Sequence, residues 1–100
     1  MSNTTHESVG FRFISRTFEQ EPSVGAGLQN SFSWDGDEQT EDELRGVCCF
    51  ADQEDVEKYA AHSKGCGWVV TVGGEDEGRG DDFDGEIIIG EAIVLSVQEW

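Results

Sequence analysis

Carboxylates dominate the chemistry open to this chain. Of its 22 Asp and Glu residues, seventeen fall in two runs, 35–57 and 75–86. The first run holds Asp35, Asp37, Glu38, Glu41, Asp42, Glu43, Asp52, Glu54, Asp55 and Glu57 against Arg45 alone. The second holds Glu75, Asp76, Glu77, Asp81, Asp82, Asp84 and Glu86 against Arg79. Acidic stretches containing glycine invite a calcium reading, but the spacing opposes it. A calcium loop opened at Asp35 has Thr40 where glycine is required and Gly46 where the bidentate Glu should stand; one opened at Glu75 has Arg79 among its ligands. No specific metal site is expected.

Other chemistries fare no better. His62 is the one histidine near Cys66 in the chain, on the border of a short helix, and cysteine is more often packed as a small hydrophobe than used as a nucleophile. Gly73 to Gly80 is glycine-rich, yet it lacks the Lys and Ser or Thr of a phosphate loop and carries three consecutive carboxylates that would repel a nucleotide; it reads as a turn. The residue types therefore predict no catalytic set and no cofactor. They predict a binding surface. Trp34 stands directly before the first run, so an aromatic anchor ringed by Asp35, Asp37, Glu38, Glu41, Asp42 and Glu43 suits a partner rich in Arg or Lys. Glu54 and Glu57 on the outward side of a helix, and Glu75, Asp76, Glu77, Asp81, Asp82 and Asp84 of the second run, extend the set.

A formal net charge of −16 bounds that partner. Phosphate backbones and anionic lipid surfaces are repelled by such a field, so direct binding to nucleic acid or membrane is disfavoured and the partner should be cationic. The composition still contains a core, since apolar residues reach 36%, aromatics 10%, and proline occurs once. No apolar stretch is long enough to span a bilayer, and residues 1–6 lack the basic and apolar regions of a signal peptide, which predicts a cytoplasmic protein. Three cysteines, two of them adjacent, do not suggest a disulfide framework. Acidity could instead serve solubility, as in a halophile, but that demand spreads acids evenly, whereas residues 1–34 are nearly neutral.

The elements that must position these residues follow from periodicity. Phe11–Arg16 alternates as a half-buried strand, with Phe11 and Phe13 on one face and Arg12 on the other; Leu28–Trp34 repeats the period, and Val47–Phe50 is a short apolar run. Residues 52–64 predict one helix, opened by Asp52, acidic in its first turn and closed by Lys64 and Gly65, with Val56, Tyr59, Ala60 and Ser63 toward the sheet. Gly67–Val72 and Glu86–Val97 are β-branched runs that predict central strands, and Gly90 predicts a bulge or bend in the second. The expected fold is one acidic α+β domain over 1–100, with a flexible tail at 1–8. It would be a twisted, mainly antiparallel sheet of five or six strands with the helix packed on a face.

Two resemblances carry further expectations. The order GVCCF (46–50), a helix near Asp52, WVVTV (68–72), an acidic glycine-rich turn and DGEIII (84–89) resembles the split-sheet core of small ADP-ribosyltransferase-like domains over about half the chain. That resemblance sets Val47, Cys48 and Cys49 where the family carries Ser-Thr-Ser, and Glu86 or Glu91 where it carries its late glutamate; it implies an inactive or regulatory domain of that fold. In length, acidity, its two acidic runs and its lack of a catalytic set, the chain is similar to small phage anti-CRISPR proteins directed at type I-C surveillance complexes. This second resemblance implies a DNA mimic whose carboxylates occupy the Lys- and Arg-lined channel of a Cascade-like complex in an infected bacterium.

Overall fold

A computed structural model describes residues 7–17, 20–28, 46–80 and 85–100. Among them are four strands and one α-helix: β1 (Ser8–Ser15), β2 (Val47–Phe50), α1 (Gln53–Tyr59), β3 (Gly67–Arg79) and β4 (Glu86–Glu99), with a single 3₁₀ turn, Ala61–Ser63, after the helix. The fold is α+β, and every strand pairing is antiparallel. The sheet order β1-β2-β4-β3 closes on itself, because β1 meets β3 along its whole length and touches β2 through the pair Phe11 and Phe50. That narrow seam is reinforced by the Arg12 guanidinium, which donates to the Cys48 carbonyl at 2.6 Å.

β3 and β4 are the long central strands that their apolar runs predict, and both extend further. Strand β3 continues through Gly73, Gly74 and the acids 75–77 as far as Arg79, so this stretch is ladder and not the expected turn. The reason lies in the partner strand. From Gly73 to Glu75, β3 advances two residues while β4 retreats three, from Ile93 to Gly90, which places a bulge at Glu91 and Ala92. There the backbones come so close that a Cβ on Gly74 would stand 2.4 Å from the Gly90 carbonyl oxygen. Glycine at position 74 serves the close approach of the paired strands, and the bulge expected from Gly90 is present.

Alternation divides the side chains between two surfaces. Inward lie Ile14, Val47, Cys49, Trp68, Val70, Val72, Ile89, Ala92 and Val94, the buried cluster, with Leu28, Ile87 and Val97 packed on its border. Outward on β1 lie Val9, Phe11 and Phe13, and α1 packs across this surface against β1 and β2. The core side of β1 is thus the Arg12 and Ile14 side, while Phe11 and Phe13 are half-buried on the other. β1 begins at Ser8, inside the stretch expected as a tail.

The helix is shorter than its sequence pattern, seven residues against the expected thirteen, because the chain tightens into the 3₁₀ turn at Ala61 and leaves through Gly65 at φ 83°. Asp52 has the extended backbone of an N-cap without a side-chain cap hydrogen bond, and Glu54 and Asp55 occupy the first turn. Val56 and Ala60 are fully buried. Tyr59, expected to face the sheet, is 67% exposed.

Of the strand expected over 28–34, residues 29–34 lie outside the described residues. Its entry is visible: Gly27 bridges Ile93, Leu28 N–H donates to Ala92, and Val94 N–H donates to Ala26, all alongside β4.

Candidate acidic binding face

The second acidic run supplies the carboxylates that the fold arranges most clearly. Glu75 pairs with Gly90 and Asp76 with Ile89 across the β3–β4 ladder, so these side chains stand on rigid strand. The β1–β3 ladder ends at the pair Ser8 and Gly74, and just beyond it a Glu7 carboxylate oxygen accepts from the Asp76 N–H at 3.1 Å. The Asp76 carboxylate in turn accepts from the Gly78 N–H at 2.9 Å. Glu91 sits at the bulge with φ 47°, a left-handed backbone that a glutamate adopts at a cost.

These groups repel one another. The Glu75 carboxyl is held above its ordinary range, first by the charge of Glu91, then by desolvation and by Glu7 and Glu77. Four glutamates concentrated on one end of a sheet give a dense negative field, suited to a cationic surface and unsuited to any anion. Sequence reasoning missed two of the four, because Glu7 and Glu91 stand alone in the chain and only strand pairing carries them to Glu75.

Of the helical pair, Glu54 is exposed and forms an exposed ion pair with Lys58 at 3.7 Å, while Glu57 is half-buried. Phe11, Phe50 and Tyr59 tie the helix to the acidic end of the sheet. Phe11 and Phe50 are register partners, the Phe50 and Tyr59 ring centroids are 5.3 Å apart, and Val9 and Phe11 alternate onto the same side of β1. One outer surface therefore carries α1 together with Val9, Phe11 and Phe50. Trp34, Asp35, Asp37, Glu38, Glu41, Asp42, Glu43, Asp81, Asp82 and Asp84 lie outside the described residues.

The residues considered for catalysis are placed differently. Glu86 is 2% exposed on β4, in a setting with the buried Cys49 and with Arg12, whereas Glu91 is exposed. Burial pushes the Cys49 thiol up to about 12; Arg12 opposes that rise, and Cys48 and Glu86 add to it. A thiol so held is packed, not nucleophilic. Cys48 is half-buried on the opposite face of β2, as alternation requires, and Cys66 is exposed, as is His62. Among the described residues no group of three or more His, Cys, Asp or Glu could hold a metal ion, and no helix is long and apolar enough to cross a membrane.

Trp68 is a core residue, 4% exposed, with the Arg16 guanidinium 4.7 Å from its ring. Trp100 is pinned back on the helix end: its indole N–H donates to the Ala60 carbonyl at 2.6 Å, and the Lys64 ammonium lies 5.3 Å from its ring. No family model matches the chain, and neither a curated protein nor a solved structure matches it.

Proposed function

We propose that this protein is a non-catalytic acidic inhibitor. It binds a Lys- and Arg-rich, DNA-binding subunit of a Cascade-like CRISPR surveillance complex in the cytoplasm of an infected bacterium, and blocks target DNA by mimicking its charge. The observation that carries the reading is the repulsive row Glu7, Glu75, Glu77 and Glu91, in which the Glu75 carboxyl is raised chiefly by Glu91. Carboxylates gathered against their own repulsion lower the stability of the free protein, and that cost is recovered when a cationic surface neutralises them. Acidity serving solubility alone would separate these charges. A fifth strand over 28–34, continuing from the Gly27–Ile93 bridge, belongs to the same reading, because it would lead directly into the first acidic run.

The test is a gel-shift titration of a purified type I-C surveillance complex with labelled target duplex. The protein should displace or exclude the duplex, and the inhibition should weaken steeply with added salt. A stable ternary complex that holds DNA at full affinity would rule out occlusion.

A further inference from the structure

Four large hydrophobic residues are exposed among the described residues: Val9, Val24, Tyr59 and Ile93. Two of them share one row of the sheet. Val9 of β1 pairs with Gly73 of β3, and Gly73 pairs with Ile93 of β4, so Val9 and Ile93 stand on the outer face with only a glycine, which has no side chain, between them. They are 43% and 36% exposed. Two strand spacings, about 10 Å, separate them, so one incoming aliphatic side chain can touch both. On one side the next row is Phe11, Thr71 and Ser96, where the Ser96 hydroxyl donates to that of Thr71 at 2.8 Å. On the other side are carboxylates: Glu75 two residues beyond Gly73, Glu91 two residues before Ile93 and Glu7 two residues before Val9. Because the strands are antiparallel, all three lie toward the same end of the row. Their proximity is felt electrostatically, since Glu91 and Glu7 both hold the Glu75 carboxyl above its ordinary range. A single exposed valine needs no explanation, but two apolar residues in one row beside carboxylates that repel one another have the apolar centre and charged rim of a binding surface.

We infer that the row Val9, Gly73 and Ile93 is the apolar centre of the acidic face and receives an aliphatic side chain carried between Lys or Arg residues of the basic partner. Charge complementarity fixes the flanking residues: Glu7, Glu75 and Glu91 repel an acidic segment, and a second copy of this chain would bring its own net charge of −16. The contact removes apolar surface from water, a contribution that salt does not screen, unlike the ionic contacts beside it. The inference rests on the proposed basic partner and adds what a row of charges alone lacks, a preference among basic surfaces.

The experiment titrates two labelled peptides by fluorescence anisotropy: an oligolysine with a pair of leucines at its centre, and a counterpart of equal length and charge with serines in their place. The native protein should bind the leucine peptide about fivefold more tightly and keep that ratio as salt weakens both. The double variant Val9→Thr with Ile93→Thr, β-branched at both positions and so suited to strand, should bind both peptides equally, at the native affinity for the serine peptide. Tyr59→Thr, which removes the exposed ring on α1 instead, should keep the native ratio. Circular dichroism confirms that each variant is folded; should the double variant not fold, Ile93→Thr alone should lower the ratio to about twofold. A leucine preference that survives these substitutions, one that Tyr59→Thr abolishes as well, or no preference in the native protein overturns the apolar centre and leaves the acidic inhibitor reading intact. Failure of both peptides to bind overturns the basic-partner reading itself.

Discussion

Glu75 is an exposed carboxyl whose proton affinity is raised by Glu91 first and then by desolvation, Glu7 and Glu77. A carboxyl whose folded-state value lies above its unfolded one binds protons better in the folded protein. Stability therefore falls as pH rises from the ordinary glutamate value toward the raised one, and the loss persists above it. Glu75→Gln should flatten that part of the profile and make the protein more resistant to urea at neutral pH. Unfolding midpoints measured from pH 4 to pH 7 would check the sign; a variant less stable than the parent at pH 7 would contradict it. The residue that drives this effect, Glu91, owes its position to a bulge and not to its neighbours in the chain.

At the level of elements, the close pairing of β3 and β4 at the bulge depends on Gly74, whose absence of side chain is structural. Gly74→Ala would bring a Cβ within 2.4 Å of the Gly90 carbonyl oxygen, a contact that backbone must move to relieve. The expected cost is about 3 kcal/mol, read as a lowered denaturant midpoint with an unchanged slope. No loss of stability would mean that the bulge is not held as tightly as the register implies. The helix carries a second lesson. Val56 and Ala60 are small and fully buried, so α1 sits close to the sheet on a face centred between them. Tyr59 lies about 80° away from that centre on a helical wheel, and a long amphipathic side chain at such a border turns outward.

For the whole molecule, the issue is whether a partner reads total charge or its placement. Reversing Glu75 and Glu91 to Lys changes net charge by the same amount as reversing Glu21 and Glu99, all four being exposed. Only the first pair should abolish inhibition of DNA binding. Glu7 cannot serve in the control, although it lies in the nearly neutral stretch 1–34, because its carboxylate is bound to the Asp76 N–H. Equal loss of inhibition in both double variants would show that placement is irrelevant and would sink the acidic face.

What the chain determined by itself is what depends on neighbouring residues. Alternating β-branched runs announced β3 and β4 as central antiparallel strands, an acidic first turn and a closing Gly65 announced the helix, and adjacent Cys48 and Cys49 divided between two faces of β2 as the two-residue period requires. The charge balance and the acidic second run were equally legible, since composition needs no geometry. Only the tertiary structure decided that Gly73–Arg79 is strand, because a glycine pair looks like a turn until the paired backbone that excludes a Cβ at Gly74 is present. It alone joined Glu7 and Glu91 to Glu75 across the three-stranded edge β1-β3-β4, and it alone turned Tyr59 to solvent. Each of these depends on residues far apart in the chain that pairing brings within a few ångströms, a distance over which sterics and Coulomb repulsion act and local sequence patterns carry no information.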